Sequence, residues 1–196
     1  IGPIALDLGL TQTEMASAYG LATLVAALCL PAMGWFLDRA GAKRMLAVVA
    51  LFFGSACAAF GLVSGLFWLA IGFAALRFLG QGSLMMGSSN MVSQWFNRKR
   101  GTALGLMTLG FGISMAVHPE LSQWLIEWVG WREAWFWIGV TTWILVLPPI
   151  VILAISKPED VGLHPDGVNR SSTDEDGAES VGPQMDFTLS EALHAP

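Results

Sequence analysis

Charged residues divide the chain into long apolar runs. Five runs contain no Asp, Glu, Lys or Arg, and their lengths are 23, 32, 20, 19 and 23 residues. In chain order they are residues 15–37, 45–76, 78–97, 101–119 and 134–156. A helix needs about 20 apolar residues to cross a bilayer core roughly 30 Å thick. Five successive runs of that length predict a membrane protein rather than a soluble helical bundle.

The second run is too long for one crossing, because at 1.5 Å per residue its helix would extend about 48 Å. We predict a turn within it at "GLVSG", residues 61–65, where two glycines surround a short polar stretch. No ten-residue stretch alternates apolar and polar residues as membrane strands do. The expected fold is therefore all-α, with five transmembrane helices at about 13–37, 44–61, 66–93, 100–126 and 132–156.

Composition supports a membrane protein. Charged residues make up 13% of the chain and hydrophobic residues 54%, whereas soluble domains contain about 25% charged residues. The mean hydropathy is +0.59. Cys29 and Cys57 both fall within apolar runs, and no spacing of metal ligands accompanies them. We expect no metal, no cofactor and no nucleic-acid partner.

The two ends of the chain differ from its middle. It opens on "IGPIAL" and "DLGLTQTE" without a Met, which suggests the outer end of an earlier helix and hence a fragment lacking its beginning. Residues 157–196 contain two basic and nine acidic residues, a formal charge of −7. So polar a segment cannot bury a core. We therefore divide the chain into a partial helix bundle, 1–156, and an acidic linker, 157–196.

Lysine and arginine indicate the orientation in the membrane. Three of them lie within residues 38–44 and three within residues 94–100, whereas the turn at 61–65 has none. Loops rich in Lys and Arg face the cytoplasm. We therefore expect both basic loops, and the tail 157–196, to be cytoplasmic.

The first basic loop, "GWFLDRAGAKR", contains more than cations. Gly34 would permit close helix packing, Gly41 would let the chain reverse, and Asp38 would pair with neighbouring cations or cap a helix. An ordinary basic loop explains the cations but not an Asp between two glycines. This stretch resembles the signature of the major facilitator superfamily, GxxxD-[RK]-xGx-[RK]-[RK], at every defined position. Those positions are Gly34, Asp38, Arg39, Gly41, Lys43 and Arg44.

Other stretches extend the resemblance. "RFLGQG", which begins at Arg77, resembles the second signature of the same family. "WFNRKRGTALGLMTLGFGISMAVHP", "GWREAWFWIGV" and "KPEDVGLHPDG" resemble the monocarboxylate and oxalate–formate branch, particularly its bacterial members. The resemblance implies that the five helices are the second to sixth of a twelve-helix bundle whose first helix is mostly missing. It also implies a location in the bacterial inner (plasma) membrane.

The same resemblance implies a function. It is secondary active transport of a small organic anion, monocarboxylate-like, by proton symport or anion exchange with alternating access. The loop from Gly34 to Arg44 would latch the cytoplasmic side. Two alternatives stay open: a transporter of the same family for a neutral or other solute, and a non-transporting scaffold or sensor with the same fold. An enzyme is not expected, since no catalytic grouping appears. Oligomeric state is left open.

Arg77 is the charged residue that interrupts an apolar run. On a wheel of 100° per residue it shares a stripe with Gln81 and Ser88, whereas smaller residues, including Gly80 and Gly87, gather on another side. A charge at the bilayer centre costs about 2.5–3.5 kcal/mol on insertion scales, so Arg77 should face a cavity or a partner. It would attract an anionic substrate or assist proton coupling; alternatively, it would bond backbone carbonyls and brace helices.

Two further helices supply candidate polar residues. Ser114 and His118 share a helical face with Met107 and Phe111. Histidine is a side chain that carries a proton near neutral pH, although a solvated His near the outer boundary would have no such role. Tyr19, four residues before a threonine, supplies a further polar group on the first full span.

Overall fold

The structure is a computed structural model that describes residues 2–164. Within this range the chain is helical, without strands. The elements in order are α1 (Gly2–Leu8), α2 (Gln12–Ala40), α3 (Ala42–Phe60), α4 (Gly65–Leu76), a π-helical segment (Arg77–Leu84), α5 (Met85–Trp95), α6 (Arg100–Val129), α7 (Trp131–Ile152) and a 3-10 turn (Pro158–Val161). Residues 165–196, which make up most of the predicted tail, lie outside the described residues.

Five helices are long and apolar enough to cross a membrane. They are α2, α3, α6, α7 and the continuous 31-residue helix made by α4, the π-helical segment and α5. The predicted all-α membrane fold is confirmed, and each predicted helix end lies within four residues of the observed one. The predicted turn is also confirmed, since the chain leaves α3 after Phe60 and α4 begins at Gly65.

Glycines make the tightest connections. Gly41 alone separates α2 from α3, and its φ of +80° is a backbone conformation that favours glycine. Gly130 joins α6 to α7 in the same way, with a φ of +82°. The predicted chain reversal at Gly41 is therefore confirmed. Single-residue connections hold each pair of helices antiparallel and adjacent.

Arg132, at the start of α7, contacts two other segments at one end of the bundle. Its Nη1 donates to the carbonyls of Gly61 (2.9 Å) and Val63 (3.1 Å) in the α3–α4 turn. Its Nη2 forms an ion pair with Asp7 of α1, at 2.9 Å. These contacts place the last residues of α1, the α3–α4 turn and the start of α7 together.

The opposite end holds both basic loops. The backbone N–H of Lys43 donates to Ser156 Oγ (3.1 Å), and Trp95 Nε1 donates to the carbonyl of Ile155 (3.0 Å). The start of α3, the end of α5 and the segment after α7 therefore meet there. α7 ends at Ile152, whereas the sequence predicted residue 156. The four residues beyond it leave the helix and dock on these loops.

α3 and α7 pack closely through glycines. A Cβ on Gly139 would lie 2.7 Å from the backbone N of Ala58, so only glycine allows this approach of the two backbones. Gly54 faces the indole of Trp143, whose Nε1 donates to the carbonyl of Leu51 at 3.0 Å. α7 therefore lies against α3 along its length and forms one wall of the bundle.

The π-helical segment was not predicted, because the helical wheel assumed α geometry throughout. Its backbone follows the wider i→i+5 pattern, and the buried Ser83 hydroxyl donates to the carbonyl of Phe78 at 2.7 Å. The predicted close packing of the small stripe is confirmed. A Cβ on Gly80 would lie 2.6 Å from the Phe53 ring, and one on Gly87 would lie 2.8 Å from Met45.

Candidate functional site

Arg77 stands at the start of the π-helical segment, deep within its span. It lies twelve residues after Gly65, the first residue of α4, or about 18 Å along the helix at 1.5 Å per residue. Arg77 lines two cavities. The smaller cavity has a volume of about 160 Å³ and is lined mainly by α2. The larger cavity has a volume of about 720 Å³ and extends toward α6 and α7.

Uncharged groups hold the guanidinium of Arg77. Its Nε donates to Thr23 Oγ1 on α2 at 3.2 Å, and its Nη1 donates to Gln81 Oε1 one turn along its own helix. The guanidinium also lies over the Tyr19 ring, with Cζ 4.9 Å from the ring centroid. No carboxylate within residues 2–164 forms an ion pair with it. The positive charge is therefore uncompensated by the protein that the structure describes.

The bracing interpretation of Arg77 required hydrogen bonds to backbone carbonyls. Both observed side-chain bonds go to other side chains, Thr23 and Gln81. The contact with Thr23 does link the π-helical segment to α2, so Arg77 contributes to packing as well. Arg77 nevertheless lines both cavities.

The larger cavity brings together residues that the sequence selected on separate helices. Gln81 and Ser88 line it from the side of Arg77, and Ser114 and His118 line it from α6. All four residues of the predicted α6 face line this cavity, because Met107 and Phe111 contact it as well. A cavity of a few hundred Å³ with a largely apolar lining and a few convergent polar groups is typical of a small-molecule site.

Tyr19 lies on the other side of Arg77, outside the lining of the larger cavity. Its ring meets Phe73 edge-on, with centroids 5.5 Å apart and an interplanar angle of 85°. Phe73 in turn packs on Phe60, also at 5.5 Å between centroids. Tyr19 therefore supports the guanidinium from a position fixed by neighbouring aromatic rings.

Sequence reasoning paired Thr23 with Tyr19 as a polar group on the first full span, but did not predict its bond to Arg77. It missed Thr142 on α7, which lines the larger cavity. Thr142 carried no signal that separated it from the adjacent Thr141, whose side chain is exposed.

The signature loop differs from its sequence interpretation at two positions. The close packing predicted at Gly34 is not observed among residues 2–164, since a Cβ there would meet no atom within 4 Å, and it stays a prediction. Asp38 is exposed and forms neither an ion pair nor a helix cap with any described residue. The cations that Asp38 was expected to pair with lie in the same loop, and none of them forms an ion pair with it in residues 2–164.

The cations of the same loop lie at the surface. Arg39 and Arg44 are exposed, and the Arg39 guanidinium lies 4.2 Å from the centroid of the Trp35 ring. Lys43 contributes its backbone N–H to Ser156. The loop thus presents its charges outward and holds the segment that follows α7.

The sequence matches one protein family and is similar to several named proteins. The family profile described as Major Facilitator Superfamily matches residues 1–186. The D-galactonate transporter of Escherichia coli O6:H1 (strain CFT073) is 30% identical over 166 residues, which cover 78% of this chain and 37% of the relative.

Two more relatives are also named as transporters of organic acids. The probable galactarate/D-glucarate transporter of Bacillus subtilis (strain 168) is 31% identical over 158 residues, covering 72% of this chain and 32% of the relative. The cis,cis-muconate transport protein of Acinetobacter baylyi is 32% identical over 107 residues, covering 53% and 25%. The chain thus spans less than two fifths of the length of these curated relatives.

Proposed function

Because this integral membrane chain belongs to the major facilitator superfamily, we propose that the full-length protein is a secondary transporter of small organic acid anions. The five spanning helices would form part of its bundle, and the cavity beside Arg77 would form part of its substrate site. Transport by this family proceeds by alternating access around a site near the middle of the membrane. The depth of Arg77 fits such a site.

One observation carries the choice of an anion: the charge of Arg77 lies in a membrane span without a carboxylate partner among residues 2–164. An unpaired cation at this depth is costly. A substrate carboxylate would compensate that charge through charge-assisted hydrogen bonds, which are about twice as strong as neutral ones. A neutral solute would leave the cost in place, so the site favours anions.

The other polar groups of the cavity support a hydroxylated acid. Gln81, Ser88, Ser114 and Thr142 are neutral hydrogen-bonding side chains along the cavity wall, and one carboxylate cannot engage all of them together with Arg77. Of three relatives named for galactonate, galactarate/glucarate and muconate, the first is named for a hydroxylated monocarboxylate. A hydroxylated monocarboxylate agrees both with these polar groups and with the monocarboxylate-like substrate that the sequence predicts.

We propose proton symport rather than anion exchange, with His118 as the proton-carrying group. Histidine is the side chain that changes its charge between pH 5 and 8. His118 lines the same cavity as Arg77, so a proton on it would interact with a bound anion. Uptake of the anion would then rise when the pH is lower on the side from which the substrate enters.

Uptake into proteoliposomes tests this function. The full-length protein is reconstituted and offered a sugar acid, a simple monocarboxylate and the uncharged sugar of the same size, each with and without a pH gradient. We expect uptake of the sugar acid, stimulation by the gradient and no uptake of the sugar. Uptake of the sugar alone would favour the neutral-solute alternative, and no uptake under any condition would favour the scaffold.

A further inference from the structure

We propose that Thr23 is a positioning residue that fixes which N–H groups of Arg77 face a substrate carboxylate. The proposal rests on the proposed transport of an organic anion. Thr23 lies on α2, whereas Arg77 lies on the helix that α4 begins, and the two side chains are hydrogen-bonded. The basis of the proposal is the direction of each hydrogen bond around the guanidinium.

The Thr23 hydroxyl can only accept from Arg77. Its single hydrogen is donated to the carbonyl of Tyr19, one turn earlier on α2, at 2.8 Å. A hydroxyl has one hydrogen and two lone pairs, so Oγ1 presents lone pairs to Arg77 Nε, which lies 3.2 Å away. The backbone of α2 thereby sets the orientation of the acceptor.

A count of donors shows what remains for a substrate. A guanidinium has five N–H groups. Thr23 takes the one on Nε and Gln81 takes one on Nη1, which leaves one on Nη1 and both on Nη2. A carboxylate can accept two parallel hydrogen bonds from a guanidinium, and the three N–H groups that remain are the ones it would use.

Tyr19 restricts the guanidinium of Arg77 on one of its two faces, whereas Thr23 contacts its Nε edge. Its ring lies below the guanidinium, 4.9 Å from Cζ, and Phe73 fixes the ring from the side. Thr23 therefore restrains the Nε edge while Tyr19 covers one face. The free end of the guanidinium is left as the part of Arg77 that is open to a ligand.

The neutrality of Thr23 is as important as its position. A carboxylate at the same place would form an ion pair with Arg77 and compete with an anionic substrate. A threonine hydroxyl satisfies the Nε donor without adding charge, so the full positive charge stays available. Thr23 thus positions Arg77 without reducing its attraction for anions.

Transport kinetics of three variants of the full-length protein test this role. Thr23→Val keeps the shape of the side chain and removes the acceptor, whereas Thr23→Ser retains the hydroxyl. Thr141→Val is the matched control, because Thr141 makes the same bond to a carbonyl four residues earlier, at 2.8 Å, on an exposed face of α7. KM and the maximal rate of sugar-acid uptake are measured for each.

We expect Thr23→Val to raise KM about tenfold, equivalent to about 1.4 kcal/mol, with a maximal rate close to that of the wild type. Thr23→Ser and Thr141→Val should retain the wild-type KM. An unchanged KM in Thr23→Val, or a loss of maximal rate alone, would overturn the positioning role, as would a serine variant as impaired as the valine one. Absence of uptake by the wild-type protein would instead overturn the proposed function.

Discussion

The guanidinium of Arg77 on one spanning helix lies over the ring of Tyr19 on another, with 4.9 Å between Cζ and the ring centroid. The ring attracts the cation without neutralising it. Cation–π contacts contribute about 0.5–2 kcal/mol, more when water is excluded. The Tyr19 ring and the Thr23 hydroxyl therefore both contact the guanidinium within the membrane, and both groups are uncharged.

This contact predicts a difference between two variants of Tyr19. Tyr19→Phe keeps the ring, so uptake of an organic acid should stay within about twofold of wild type. Tyr19→Leu removes the ring, and we expect KM to rise about fivefold, as a loss of about 1 kcal/mol implies. Uptake kinetics in proteoliposomes measure both, and equal effects of the two variants would show that the ring does not support Arg77.

The contacts of Arg132 predict unequal losses of stability. Its ion pair with Asp7 is exposed, at 45% and 46% of the two side chains, and exposed pairs contribute at most about 1 kcal/mol. Asp7→Asn should therefore lower the melting temperature in detergent only slightly. Arg132→Gln also removes the bonds to two carbonyls of the α3–α4 turn, and we expect a larger loss, about 1–3 kcal/mol. Equal melting temperatures would contradict the role of those bonds.

Glycine contacts predict a second stability difference. A Cβ on Gly80 would lie 2.6 Å from the Phe53 ring, whereas one on Gly112 would meet no atom within 4 Å in the described structure. Gly80→Ala should therefore destabilise the bundle by about 1–3 kcal/mol. Gly112→Ala serves as the control and should leave the melting temperature unchanged or slightly raised, since Ala favours a helix over Gly. The reverse order would contradict the packing of the π-helical segment on α3.

The basic loops at one end of the bundle predict which side of the membrane each end of the bundle faces. In a background without Cys29 and Cys57, a cysteine at the exposed Thr102 should react with a membrane-impermeant maleimide only from the cytoplasmic side. A cysteine at the exposed Ser64, in the α3–α4 turn at the opposite end, should react only from outside. The two sites control for each other. Labelling with the opposite sidedness would overturn the positive-inside assignment.

Much of the fold could be predicted from sequence because a membrane leaves few choices. Charge-free runs of spanning length require helices, and those helices are confirmed. The 3.6-residue period then selected Gln81 and Ser88 on one helix and Ser114 and His118 on another, and the structure places all four along one cavity. Local periodicity sufficed, because each pair lies on a single helix.

Features that depend on contacts between distant helices could not be predicted. The bond from Arg77 to Thr23 joins residues 54 positions apart, and a wheel drawn for one helix cannot show it. The packing expected at Gly34 finds no partner within residues 2–164, and the sequence could not name one, because a glycine permits a close approach but does not specify the partner. The π-helical segment was missed because a wheel of 100° per residue assumes α geometry, whereas Ser83 bonds the carbonyl of Phe78, five residues earlier.

The central claim is that Arg77 attracts the carboxylate of a transported acid. Its most direct test is uptake of a radiolabelled sugar acid into proteoliposomes by the full-length wild type and by Arg77→Gln, with Thr141→Val as control. Losing one partner of a buried charge pair costs about 2–5 kcal/mol, so we predict a decrease of at least about thirtyfold in kcat/KM for Arg77→Gln. Saturable uptake by Arg77→Gln with the wild-type kcat/KM would contradict the account.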